Sequence, residues 1–160
     1  MVLCVATGKF KVDIERRKDK RMSLEIQEYV HTVQYYETDK MGITHHSNYI
    51  RWMEEARVYY LDQIGWSFAK LEELGIGSPV TSLDAKYKQS TTFSDVISIR
   101  VWVEEFKGVK LQLGYHMKNA DGKIVCEANS QHCFVNEKGM PVRVDREYPE
   151  FYEKLLALKE

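Results

Sequence analysis

The residues best suited to chemistry lie in one stretch, Thr38-Asp39-Lys40-Met41-Gly42-Ile43-Thr44-His45-His46-Ser47-Asn48-Tyr49, which runs straight into a helical pattern. A carboxylate such as Asp39 can attack a carbonyl carbon or activate a water against it. The first amides of a helix that begins near His46 and Ser47 have no intrahelical acceptors and stand at the positive end of the helix dipole. They can therefore polarise a carbonyl oxygen as negative charge grows on it. Gly42, free to take positive φ, lets the backbone turn tightly between the two components. Asp39 also has a plainer reading, as a turn residue that satisfies local amides. His45 and His46 invite a metal reading, but neighbouring helical residues point about 100° apart. No Cys or His set nearby completes a ligand group, so no metal is expected. Tyr49 reads as a packed aromatic on an inward face, since phenol is a weak acid. Glu54, within a helix read as buried, needs a partner, which Arg51 or Arg57 would supply from three residues away.

Other chemistries find little footing. The chain has no Gly-x-Ser-x-Gly elbow and no spaced Cys-His pair for a covalent serine or cysteine enzyme. Gly108, Gly114 and Gly122 form no phosphate cradle, and no cofactor is expected. His31, His116 and His132 fall in strand-like segments with no companion motif, which assigns them ordinary hydrogen-bonded roles.

Several elements must hold the reactive stretch in place. Residues 24–35 carry enough Ile, Val, Thr and Tyr for a strand, with ragged alternation. From Ser47 to Ile64 there is neither Gly nor Pro, and Tyr49, Ile50, Trp52, Met53, Ala56, Tyr59, Tyr60, Leu61 and Ile64 recur at helical spacing over more than one stripe. That predicts a helix buried on most of its circumference and stopped at Gly65. A shorter helix is predicted over Ser67 to Leu74. After Pro79 the period changes to two: Val80 to Tyr87, Ile97 to Val103, Val109 to Met117 and Ile124 to Val135 read as strands. Lys107-Gly108, Asn119-Ala120-Asp121-Gly122 and Asn136-Glu137-Lys138-Gly139 supply turns. Consecutive hairpins then predict a four-strand antiparallel meander. Tyr148 to Leu158, with Pro149 near its start, reads as a terminal helix. The order of elements predicts an α+β layout, an antiparallel sheet wrapped around one long central helix. A sheet of that kind leaves an edge, so pairing with a second copy, as a homodimer or homotetramer, is expected.

The stretch from Gln34 to Arg57 resembles the signature of the 4-hydroxybenzoyl-CoA thioesterase-like family of hotdog folds. Members carry Thr or Cys before an Asp, a Gly three residues on, a His or Asn-x-x-Tyr entering the central helix, and an acidic residue within it. Thr38-Asp39, Gly42, His46, Tyr49 and Glu54 stand in that register, and the order of elements agrees over residues 29–135. The resemblance implies thioester hydrolysis of an acyl-CoA, with Asp39 as base or nucleophile and the amide of His46 polarising the carbonyl. It also implies that Gly42, Tyr49 and Glu54 contact substrate. Lys86, Lys88 and Arg100 have the charge and strand position to meet CoA phosphates, on no firmer ground than that. In the turn before the next strand, relatives carry a Pro and a Gly-Asp where this chain has Gln89-Ser90-Thr91-Thr92-Phe93-Ser94-Asp95, so only the Asp agrees. That departure bears on the acyl end of the site. The alternatives on the same fold are an acyl-carrier-protein thioesterase, for which near-neutral charge offers little docking surface, and a non-catalytic acyl-CoA-binding protein.

The bulk numbers set the frame. A chain of 160 residues fits one domain with a real core. Lys and Arg number 23 against 24 Asp and Glu, a net charge of −1, with no basic stripe for a nucleic-acid backbone. No apolar run is long enough to cross a bilayer. The opening six residues are too short, and lack the basic lead-in, for a signal peptide. Cys126 and Cys133 lie seven positions apart in one predicted strand, about 23 Å by strand rise, and on opposite faces, which rules out a bridge between them. Three unpaired thiols fit a reducing cytoplasm. Residues 1–22 are basic and read as an N-terminal extension, flexible in character, ahead of a domain over 23–160, with Met22 a possible natural start.

Overall fold

A computed structural model describes residues 25–160; the expected extension over 1–22 and the start at Met22 lie outside the described residues. Strand β1 (Tyr29–Thr32) leads through a single 3-10 turn (Tyr35–Glu37) to the long helix α1 (His46–Gln63) and the short α2 (Phe68–Glu73). Strands β2 (Ile76–Gly77), β3 (Val80–Tyr87), β4 (Val96–Phe106), β5 (Lys110–Lys118), β6 (Ile124–Cys133) and β7 (Val135–Asn136) follow, and α3 (Val144–Glu147) and α4 (Pro149–Ala157) close the chain. The α+β arrangement with an antiparallel sheet against one central helix is as predicted. The two-residue pair β2 and β7, and the turn of helix α3, carry too few residues for a period to be read from sequence.

The main sheet runs β1-β4-β5-β6-β3. The predicted meander therefore holds for β4, β5 and β6 only. Strand β3 does not pair with the strand that follows it but with β6 at the far edge, Leu83 opposite Ser130 and Lys86 opposite Glu127. Residues 88–95 are thus a crossing rather than a hairpin turn. They leave β3 with the Lys88 N–H on Val125 O, pass the reactive loop, and arrive at the other edge with Ser94 N–H on Val33 O. Eight residues of extended chain span roughly 27 Å, ample for the width of two strands.

Alternation in the strands aims Ile97, Ile99, Val101 and Val103 of β4 and Leu111, Leu113, Tyr115 and Met117 of β5 at α1, which returns Trp52, Met53, Ala56 and Tyr60. Burying side chains of this size contributes about 1.5–3 kcal/mol each. On the opposite face Gly114 gives room to the Trp102 indole, because a Cβ there would sit 2.3 Å from the ring.

The sequence reading overstated the burial of α1. Asn48, Tyr49, Trp52, Met53, Ala56, Arg57, Tyr60 and Leu61 form one buried stripe, while Ile50, 42 % exposed, and Arg51, Glu54, Glu55 and Tyr59 face outward. A single sheet covers a helix from one side only, so an amphipathic helix is the stable solution within one chain.

Candidate active site

Thr38 and Thr44 form an isolated antiparallel bridge that closes the loop carrying Asp39. Within it Asp39 N–H donates to Ile43 O at 2.9 Å, Gly42 N–H donates to Asp39 O at 2.9 Å, and Gly42 takes φ +77°, the left-handed value expected of it. One carboxylate oxygen of Asp39, Oδ1, accepts the Met41 N–H at 2.7 Å; the other has no partner among the described residues. The local turn bond thus occupies one oxygen and leaves the other free of partners among the described residues.

The helix start is equally divided. His45 caps α1: its N–H donates to Glu37 O at 2.8 Å, its carbonyl accepts Asn48 N–H at 3.0 Å, and its Nδ1 takes Ser47 N–H at 3.4 Å. No acceptor among the described residues takes the His46 N–H. The His45 and His46 rings lie against each other with centroids 4.2 Å apart, framing the helix end. Asp39, His46 and Tyr49 line one cleft of about 270 Å³, with Tyr87, Lys88 and Gln89 on its far side.

Two residues the sequence reading passed over build the frame of this cleft. Glu37 is 5 % exposed, yet its carboxylate accepts Gln34 N–H at 2.7 Å and Trp52 Nε1–H at 2.7 Å and meets His31 Nε2 at 2.9 Å. Burial opposes its ionisation, but the bonds from His31, Gln34 and Trp52 outweigh burial and hold its pKa below the ordinary carboxylate value. Its carbonyl also takes the Asn48 side chain at 2.8 Å. Glu37 therefore ties β1, the loop and α1 together two residues from Asp39. The spacing Gln34-x-x-Glu37 is that of a capping box, a local signal that could have found it. Thr91 is the second. It is 1 % exposed, and its hydroxyl meets Thr44 Oγ1 at 2.7 Å and the Tyr49 hydroxyl at 2.9 Å, while its carbonyl takes Thr44 N–H at 2.8 Å. Thr92 Oγ1–H donates to Gly42 O at 2.7 Å. The crossing thus clamps the reactive loop, a long-range contact with no mark in the sequence.

Tyr49 is the packed aromatic that was expected: it is buried, lies T-shaped against Tyr87 at 5.1 Å, and is held protonated by burial despite its bond to Thr91. Glu54 is not brought to the cleft of its own chain. It is exposed, in a separate hollow with Glu55 and Tyr59, and neither Arg51 nor Arg57 pairs with it. Arg57 instead is buried, with Nη1–H groups donating to Ser78 O at 3.1 Å and to His132 Nδ1 at 2.8 Å, its plane over Phe68. His132 must be neutral to accept that bond. Burial, then the neighbouring Arg57 charge, push its pKa down to about 4. Of the three cations considered for phosphates, Lys88 lines the cleft, 3.0 Å from Glu127, whereas Lys86 lies on the outer sheet face and Arg100 pairs with Glu160. The arrangement offers a carboxylate oxygen and a free amide on one exposed cleft, with a cation at its rim. That combination suits attack on an activated carbonyl.

Residues 33–156 match the family described as the Thioesterase-like superfamily. A protein of Bacillus subtilis (strain 168) that bears the name "Putative acyl-CoA thioesterase YneP" is 33 % identical over 126 residues, covering 76 % of this chain and 91 % of its own. The 4-hydroxybenzoyl-CoA thioesterase of Pseudomonas sp. (strain CBS-3) is 26 % identical over 78 residues, 47 % of this chain and 55 % of that one. Among solved structures, a DHNA-CoA thioesterase from Staphylococcus aureus superposes with a TM-score of 0.77 at 32 % identity, over 80 % of this chain and 87 % of that one.

Proposed function

The chain belongs to the thioesterase-like superfamily, and on that premise we propose that it is an acyl-CoA thioesterase in which Asp39 drives hydrolysis and the His46 amide holds the oxyanion. The observation that carries the reading is the pairing of a free Asp39 oxygen with the unpartnered His46 N–H on one cleft. The thioester carbonyl oxygen accepts the His46 N–H, backed by the α1 dipole. Attack by Asp39, or by a water that Asp39 deprotonates, adds a C–O bond and moves charge onto that oxygen. Collapse breaks the C–S bond, the sulfur leaves as CoA thiolate and takes a proton, and the acyl group ends as free acid. If Asp39 itself attacks, water cleaves the mixed anhydride and restores the carboxylate. Lys88 at the rim suits a CoA phosphate.

A second copy is part of the proposal. Strand β3 is an edge strand with an exposed flank, and Tyr35, Tyr36, Met41 and Phe93 stand exposed beside the reactive loop, Tyr36 at 80 %. A sheet edge without a further strand and exposed apolar side chains are both surfaces that a partner subunit covers.

A panel of acyl-CoA thioesters assayed by free-thiol release, with the parent and Asp39→Asn, tests the reading. Turnover by the parent and its loss in the variant is the expected result. Equal turnover in Asp39→Asn removes the mechanism, and none with any thioester removes the activity.

A further inference from the structure

The Asp39 cleft is small, about 270 Å³, just under the range usual for small-molecule sites, and Tyr87 forms one of its walls. Tyr87 ends β3 and belongs to the inner face of the sheet: it stands opposite Cys126 of β6, which is fully buried, and residues paired across a ladder share a face. The side chain itself remains 46 % exposed. Two contacts hold it. Its hydroxyl donates to His46 O at 3.3 Å, and its ring meets the buried Tyr49 ring edge-on, with centroids 5.1 Å apart and planes at 69°. Partial burial raises its pKa, so the hydroxyl stays a donor.

The side chains around it on that face are small. One step along the same face Ala85 stands opposite Ala128, and Cys126 shares the row with Tyr87. Bulk at this corner of the sheet therefore comes from the Tyr87 ring, laid against Tyr49 of α1. A short side chain at position 87 would leave the space between the end of β3 and the start of α1 open toward Ala85. Swinging the ring aside would uncover Tyr49, which is 3 % exposed, and break the bond to His46. The wall is thus fixed by packing as well as by the hydroxyl.

We propose that the Tyr87 ring sets the size limit of the acyl group, so that the cleft takes compact acyl groups in preference to extended chains. The inference rests on the thioesterase reading. Its geometry follows from the anchor: Tyr87 is tied to His46, whose N–H holds the carbonyl oxygen in that reading, so the group borne by the carbonyl carbon meets the ring close to the reacting atoms. Lys88, the next residue, pairs instead with Glu127, whose side chain lies on the outer face of the sheet. That leaves the CoA end to the rim and the acyl end to Tyr87.

Steady-state turnover of butanoyl-CoA and decanoyl-CoA by the full chain tests it, read as the ratio of their kcat/KM values. The parent is expected to favour butanoyl-CoA; a preference for decanoyl-CoA overturns the limit. Tyr87→Ala shifts the ratio toward decanoyl-CoA by at least about tenfold, the discrimination that a single methylene yields in an apolar pocket. Tyr87→Phe loses the hydroxyl, keeps the ring, and keeps the parent's ratio. If Tyr87→Ala slows both substrates alike, the ring is structural and the limit falls. A ratio that moves as far in Tyr87→Phe places the effect in the His46 bond, which overturns it as well. Should Tyr87→Ala fail to fold, Tyr87→Leu decides by the same ratio. A parent that turns over no thioester removes the thioesterase reading on its own. The affinities of the two acyl-CoAs, measured by calorimetry, then replace kcat/KM: a shift toward decanoyl-CoA in Tyr87→Ala sustains the size limit, and no shift overturns it.

Discussion

At the N-terminal end of α1 the groups without partners, the His46 N–H and one oxygen of Asp39, stand on an exposed cleft, on a frame whose own polar groups are buried and paired through Glu37 and Thr91. At the C-terminal end the frame is apolar, and the buried groups without partners among the described residues are the Tyr60 hydroxyl and the Trp66 Nε1–H. The first set faces an exposed cleft where solvent can satisfy it, so those groups cost the fold little. The Tyr60 hydroxyl has no such cover, and about 1–3 kcal/mol of desolvation stands against the fold. One helix thus begins among unpartnered groups that face a cleft and ends beside unpartnered groups sealed in the core, among the described residues.

The comparison can be broken at the frame first. Glu37→Ala strands the donors of Gln34, Trp52 and His31 and is expected to lower stability by about 3–5 kcal/mol in denaturant titration, with turnover falling as the Asp39 loop loosens. A variant as stable as the parent would remove Glu37 as the organiser. The next effect comes through pH. His132 has a pKa of about 4 when folded, below its unfolded value near 6.5. The unfolded chain therefore takes up a proton first as pH falls, and stability present above 6.5 is lost progressively down to about 4. The loss amounts to about 3 kcal/mol. Denaturation followed across that window should flatten in His132→Asn, and an equally steep profile there would assign the loss to other groups. For Asp39→Asn the expected fall in turnover is at least about 10²-fold, or about 2.7 kcal/mol of barrier, at unchanged unfolding midpoint. Smallest is Thr91→Val, which leaves the hydroxyls of Thr44 and Tyr49 without their shared partner; about 1–2 kcal/mol of stability should go. If that variant loses turnover but no stability, the crossing acts on loop geometry alone.

The elements with a clear local period were legible. The long helix was read as Ser47 to Ile64 and is His46–Gln63; Val80 to Tyr87 was read to the residue; Gly42 was read as a positive-φ turn. Asp39 and His46 were expected from their register in a family signature and from an acid standing beside a helix start, and both line one cleft. Glu54 was misjudged because its partner was sought on the same helix, where Arg57 stood at the right spacing. The buried Arg57 turned instead to His132, 75 residues away, and Glu54 stayed in water.

By itself the sequence determined the span of the long helix, the alternating faces of the strands, and which loop brings a carboxylate to a helix start. Those are matters of backbone period and of turn and cap chemistry, settled within a few residues. The tertiary structure decided that β3 lies beside β6 and that residues 88–95 cross the sheet to lay Thr91 on Tyr49. No local energy separates those outcomes from their alternatives. They follow from how distant elements share one core and pair their buried polar groups, a condition that only the assembled chain can meet.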